Sequence, residues 1–266
     1  MLESLLPETR GILGAIEKRV GCKVSLMPDE SRCLCQLTPM DVLAALDGRA
    51  PTITYNPKAK GLDCLIAHEG LRLLRYLDAA PEERYFLSSS KETERTAAER
   101  MADEVSDWPV AVQLISAAGF PEFYRVTLTQ LSSMPADFWI TLALHERHPA
   151  LREQMLLGLR ELYGKVHQCL DEGYENIAPR TVFEASNAMS AAMAQFLEER
   201  LGMEEFSLPY RGTRFEGLGK KLRRLNATDR GLAGDVVTAD EWASELGFRE
   251  WYGWVKVTDS LSPIGQ

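Results

Sequence analysis

The stretch PTITYNPKAKGLDCLIAHEGLRLLRY, residues 51–76, predicts a strand, a turn and a helix in immediate succession. The β-branched residues 52–54 favour a strand, and Asn56-Pro57 ends it. Apolar residues then recur at helical spacing and predict an amphipathic helix, at Leu62, Ile66, Gly70, Leu73 and Leu77. His68 and Glu69 lie at the centre of this helix, with Glu69 at the edge of its apolar stripe.

A His-Glu pair on a helix is typical of zinc peptidases that carry H-E-x-x-H. Imidazoles at positions i and i+4 project from one face and share the zinc ion, while the glutamate acts as general base on the zinc-bound water. His68 and Glu69 suit the first ligand and the base. Arg72 stands where the second ligand is needed, and arginine stays protonated and has no lone pair to offer. His68, Glu69 and Arg72 therefore predict either an incomplete zinc site or a polar network, in which Glu69 and Arg72 pair at i, i+3 spacing.

An acidic helix follows at residues 89–105, SSKETERTAAERMADEV. Its serines form an N-terminal cap signal, and acids occupy the first turn. Its inward positions are apolar, at Ala97, Ala98, Met101, Ala102 and Val105.

The segment from Thr52 to Val105 resembles the ImmA/IrrE-type metallopeptidases. The resemblance lies in two runs, ITYNP…CLIAHEGLRLL and ERTAAERMADEV. That family has a short strand, a helix with "AHE-x-x-H", and a following "E-x-x-A-x-x-F-A-x-x-L" helix that supplies an acidic third ligand. The resemblance implies a zincin-like fold with zinc as cofactor, His68 as a ligand, Glu69 as base, and either Glu94 or Glu99 as the third ligand. The departure at Arg72 implies a catalytically degenerate member.

The remaining histidines leave a second metal arrangement open. His145 and His148 stand at i, i+3 spacing in LALHERHP, and zinc held by His68, one of these two and a carboxylate is an alternative. The same residues also suit the C-terminus of a helix, where cations complement the dipole. His167 stands alone on an amphipathic segment.

The whole chain predicts an α+β fold that is mostly helical. Residues 1–108 form a small zincin-like unit, with a helix at 7–20, strands at 23–27, 32–37 and 52–55, and a helix from 38 to 46. Residues 109–202 form a helical bundle packed on that unit. We predict five or six bundle helices. Helical periodicity recurs at residues 110–118, 122–131, 136–146, 151–171 and 181–201, with separators at Gly119-Phe120-Pro121, Met134-Pro135, His148-Pro149 and Ala178-Pro179. The apolar positions Val110 and Leu114 are expected to be buried, as are Phe138, Leu142 and Leu144.

Residues 203–266 differ in composition from the rest. Residues 211–230 hold seven basic and two acidic side chains, and the densest basic cluster is Lys220, Lys221, Arg223 and Arg224. This basic patch suits either contact with nucleic-acid phosphates or a solvated face that balances the acidic remainder. Trp251, Tyr252 and Trp254, with Val255 and Val257, predict a closing strand or apolar clasp.

Composition limits the classes of function. The 266 residues are 45% hydrophobic, which suits a globular core, and the net charge of -9 disfavours general nucleic-acid affinity. No apolar run is long enough to cross a membrane, and the first ten residues do not resemble a signal peptide. Five scattered cysteines do not form a disulfide framework, which favours a cytoplasmic protein.

These observations favour a zincin-like protein that is catalytically degenerate and acts as an interaction or regulatory protein with a protein or peptide partner. Two alternatives remain open. One is an active zinc-dependent peptidase with Glu69 as general base. The other is a nucleic-acid-associated factor that uses residues 211–230.

Overall fold

A computed structural model describes residues 4–31 and 35–257, with only the backbone of Glu172. The described chain is mostly helical and contains two small sheets, so the predicted α+β, mostly α class is confirmed. The elements in chain order are α1 (Pro7–Val20), β1 (Ser25–Pro28), β2 (Cys35–Gln36), α2 (Pro39–Leu46), β3 (Thr52–Tyr55), α3 (Leu62–Asp78), β4 (Tyr85–Ser88), α4 (Lys91–Glu104), α5 (Val110–Arg147), α6 (Arg152–Val166), α7 (Glu172–Glu175), α8 (Arg180–Leu201), α9 (Arg214–Leu225), α10 (Gly231–Leu246) and β5 (Gly253–Lys256).

The described residues divide into two compact units that alternate along the chain. Of the described residues, the first unit contains residues 4–31 and 35–84, Trp139–Leu162, and Lys256 and Val257. The second unit contains Tyr85–Phe138 and Tyr163–Val255. The boundaries at residues 108 and 202, expected from composition, stay a prediction about which segments fold together.

In the first unit, α3 packs against α1, α2 and a three-stranded sheet. The sheet has the order β1-β3-β2, in which β1 runs parallel and β2 antiparallel to β3. Cys35 pairs with Tyr55 and Gln36 with Thr54. The sheet and helices share a core of fully buried side chains, among them Leu13, Ile16, Ile53, Ile66 and Leu73.

In the second unit, α8 is the most buried helix and packs against α9, α10 and α4. An aromatic cluster of fully buried side chains anchors the core: the ring of Phe138 lies 4.7 Å from that of Phe196 and 5.6 Å from that of Trp242. Trp242 Nε1 donates a 2.9 Å hydrogen bond to the carbonyl of Leu222, so its one polar atom is satisfied in the interior. Strand β5 pairs with β4, which agrees with the closing strand predicted from the C-terminal aromatic residues.

The three helices predicted between residues 110 and 146 are wrong as separate elements, because α5 is one continuous helix of 38 residues with Pro121 and Pro135 inside it. Each proline removes one backbone donor from the helix but does not end it here. The expected burial is correct for Phe138, at 0% exposed, and wrong for the first turns of the helix. Val110 is 70% exposed and Leu114 is 68% exposed.

Within the described residues, we find no helix with the length and apolarity needed to span a membrane.

Candidate functional site

Close packing on both sides fixes the position of α3. A Cβ atom at Gly70 would lie 2.8 Å from Ile12 Cγ2, so the absence of a side chain lets α1 approach the middle of α3. At the start of the helix, Gly61 has a φ of 72° and would place a Cβ only 2.1 Å from the carbonyl oxygen of Gln154. The helix that carries His68 and Glu69 is therefore held against two other segments of the first unit.

The carboxylate of Glu69 lies in the interior, since the residue is only 8% exposed. Its Oε2 atom accepts a 3.2 Å hydrogen bond from the backbone N–H of Leu37, in the segment between β2 and α2. The same oxygen lies 3.8 Å from Arg72 Nε, one turn along α3. On the other side, His68 Nδ1 is 3.7 Å from Glu69 Oε1. The carboxylate is thus flanked by a guanidinium and an imidazole and is joined to the segment after β2.

The electrostatics of this cluster favour an ionised Glu69. Burial raises the pKa of the Glu69 carboxyl, but the positive charge of Arg72, the imidazole of His68 and the Leu37 N–H together outweigh it and hold that pKa below its usual value. At neutral pH the group is therefore a carboxylate whose charge is compensated from within its own helix.

Cys35 completes the cluster from the edge strand β2. Burial and the negative charge of Glu69 raise the pKa of its thiol far above the usual value for cysteine. A neutral thiol is a poor nucleophile. Cys35 is therefore a small, half-buried side chain beside the carboxylate.

The two acids expected as third metal ligand lie on α4, in the second unit, whereas His68 lies in the first. Glu94 is exposed and accepts a 3.2 Å hydrogen bond from the hydroxyl of Ser89. Glu99 is exposed and lies 3.9 Å from Arg95, one turn away on the same helix. Each has a surface partner on or next to its own helix.

The donor set around Glu69 does not fit a zincin metal site. Among the described residues it offers one imidazole, one carboxylate that already accepts a backbone N–H, one thiol, and a guanidinium that cannot bind a metal, whereas catalytic tetrahedral zinc needs three protein ligands and an open position. Within residues 4–31 and 35–257, no three His, Cys, Asp or Glu side chains group as metal ligands.

Two of the other histidines have local contacts. The carbonyl of His145 accepts a 2.7 Å hydrogen bond from Arg152 Nε at the end of α5, and burial together with Arg152 lowers the pKa of the His145 imidazole. His167 Nε2 lies 3.1 Å from the carbonyl oxygen of Phe206, and its ring packs against those of Tyr163 and Tyr210. Burial lowers the pKa of His167 as well.

The basic segment forms a regular helix, α9, that packs on α8 through Phe215, Gly219 and Leu222. Most of its cations face carboxylates. Lys220 Nζ lies 2.6 Å from Glu216, Arg223 lies 2.9 Å from Glu199, and Lys221 pairs with Glu245. Arg224 is exposed. This arrangement matches a solvated face that balances acidic neighbours more closely than a groove that offers unpaired cations to phosphates.

Two members of the Glu69 cluster, the Leu37 N–H and Cys35, could not be predicted from the sequence. The Leu37 N–H is a backbone donor, which every residue except proline carries, so composition does not distinguish it. Cys35 stands 34 positions before Glu69, and only the pairing of β2 with β3 brings it to α3. Arg72 was detectable because its i, i+3 spacing from Glu69 lies within one helix.

No family model matches the chain, and no curated protein or solved structure matches it.

Proposed function

We propose that this chain is a zincin-like protein without peptidase activity, in which the His-Glu helix has a structural role and the molecule acts through contacts with other proteins. One observation carries the proposal: the Glu69 carboxylate, the expected general base, accepts a hydrogen bond from the Leu37 N–H and faces the cation of Arg72. A general base for hydrolysis must instead present a free oxygen to a metal-bound water.

The chemistry of Arg72 supports the same conclusion. A guanidinium contributes a fixed positive charge near the carboxylate and repels a divalent cation. In a zincin the metal compensates the charge of the buried acid, and here Arg72 supplies that compensation from the same helix. The cluster thus replaces an ion with a side chain and keeps α3 joined to the segment between β2 and α2.

Metal content and peptide hydrolysis test the proposal directly. The full chain, purified without chelator, is expected to hold well under one zinc per molecule, and EDTA is expected to leave its melting temperature unchanged. Added zinc is expected to produce no peptide cleavage that Glu69→Gln abolishes. Stoichiometric zinc that is lost on His68→Ala, together with cleavage that is lost on Glu69→Gln, would overturn the proposal in favour of an active peptidase.

Nucleic-acid contact through α9 is the weaker candidate, because Lys220, Lys221 and Arg223 already face carboxylates. Binding to duplex DNA or to RNA that falls steeply with added salt, and that Arg223→Ala with Arg224→Ala weakens, would revive it.

A further inference from the structure

We draw no further inference here: the strongest candidate, the exposed apolar face on the first turns of α5 that includes Val110, Leu114 and Ile115, carries no proposal because nothing in the structure shows what covers it.

Discussion

The backbone N–H of Leu37 donates a 3.2 Å hydrogen bond to Glu69 Oε2, and this contact joins the segment after β2 to the middle of α3. The acceptor is a buried carboxylate whose negative charge is compensated by Arg72, so the bond is charge-assisted and stronger than a bond between neutral groups. A residue that suits a catalytic base by its sequence position is here part of the internal framework of the first unit.

Glu69→Gln is expected to lower the free energy of unfolding by about 1–3 kcal/mol at neutral pH, because the amide keeps an acceptor but removes the negative charge that faces Arg72. The pKa of Glu69 is lower in the folded chain than in the unfolded chain, so its charge stabilises the fold above the ordinary glutamate pKa. That contribution is lost as the pH falls through the folded-state pKa. Urea unfolding at neutral and acidic pH measures the difference.

The matched control for this prediction is Glu30→Gln, which removes an exposed carboxylate that pairs with Lys58 at 2.6 Å in the same unit. Surface pairs contribute about 0–1 kcal/mol, so the control should change stability little. If Glu69→Gln lowers the free energy of unfolding by the same amount at every pH, then packing, and not charge, explains the effect.

Arg72→His is expected to raise zinc affinity, because it places a second imidazole one turn from His68 and removes a cation from the same face of α3. Competition with a chromophoric chelator measures the dissociation constant. Arg75→His adds an imidazole to the same helix without i, i+4 spacing from His68 and should give no gain, and His68→Ala should remove the gain of Arg72→His. Equal zinc affinity for wild type and Arg72→His would limit the family resemblance to a helix pattern.

Glu104→Ala is expected to destabilise the start of α8. The carboxylate of Glu104, at the end of α4, accepts a 2.9 Å hydrogen bond from the Thr181 N–H and a second from the Thr181 hydroxyl. The N-cap residue Pro179 offers no side-chain acceptor, so Glu104 takes the capping role from a different helix. The loss should be about 1–2 kcal/mol, as for a removed N-cap.

Chemical unfolding, together with amide hydrogen exchange in the first turn of α8, measures the effect of Glu104→Ala. Glu99→Ala is the control, since its carboxylate is 66% exposed and lies 3.9 Å from Arg95 on the same helix. Equal stabilities for the two variants would show that the cap at Thr181 contributes nothing.

Two glycines on α9 are expected to respond in opposite directions to the same substitution. A Cβ at Gly219 would lie 2.9 Å from Ala191 Cβ and 3.0 Å from the Ala191 carbonyl carbon, so Gly219→Ala forces α9 away from α8 and should cost about 1–3 kcal/mol. A Cβ at Gly217 meets nothing within 4 Å, and Gly217→Ala should stabilise the helix by about 0.5–1 kcal/mol. Thermal unfolding of the two variants compares them, and equal effects would contradict the close packing of α9 on α8.

The elements that the sequence predicted with the correct bounds are those with local signals. Helix α1 has a proline in its first turn and is capped by Gly21. The φ of Gly21, 81°, lies in the left-handed region that this type of C-terminal cap requires. Helix α2 begins at a capping box between Thr38 and Asp41. In both helices the signal lies within a few residues of the boundary, so no knowledge of the tertiary structure is needed.

The incorrect predictions depend on tertiary packing. Proline inside a helix costs about 3 kcal/mol, which predicts a break at Pro121 and at Pro135. Burial of the continuing apolar face, including Phe138, outweighs that cost and keeps α5 in one piece. The same limit applies to Val110 and Leu114, because an apolar stripe in the sequence favours burial, and only the tertiary structure decides whether a neighbouring segment covers it.

The packing of Gly61 against Gln154 also sets an order of events during synthesis. The His68 helix belongs to a unit whose described residues up to Arg84 emerge early, yet it is completed by Trp139–Leu162. The backbone N–H of Lys60 donates a hydrogen bond to the carboxylate of Glu161, which lies 101 positions later in the chain. At translation rates of about 5–20 residues per second, the early part of the unit waits roughly 4–16 s for this segment. During that interval the start of α3, where Leu65 lies against Gly158, is without the segment that covers it in the folded chain.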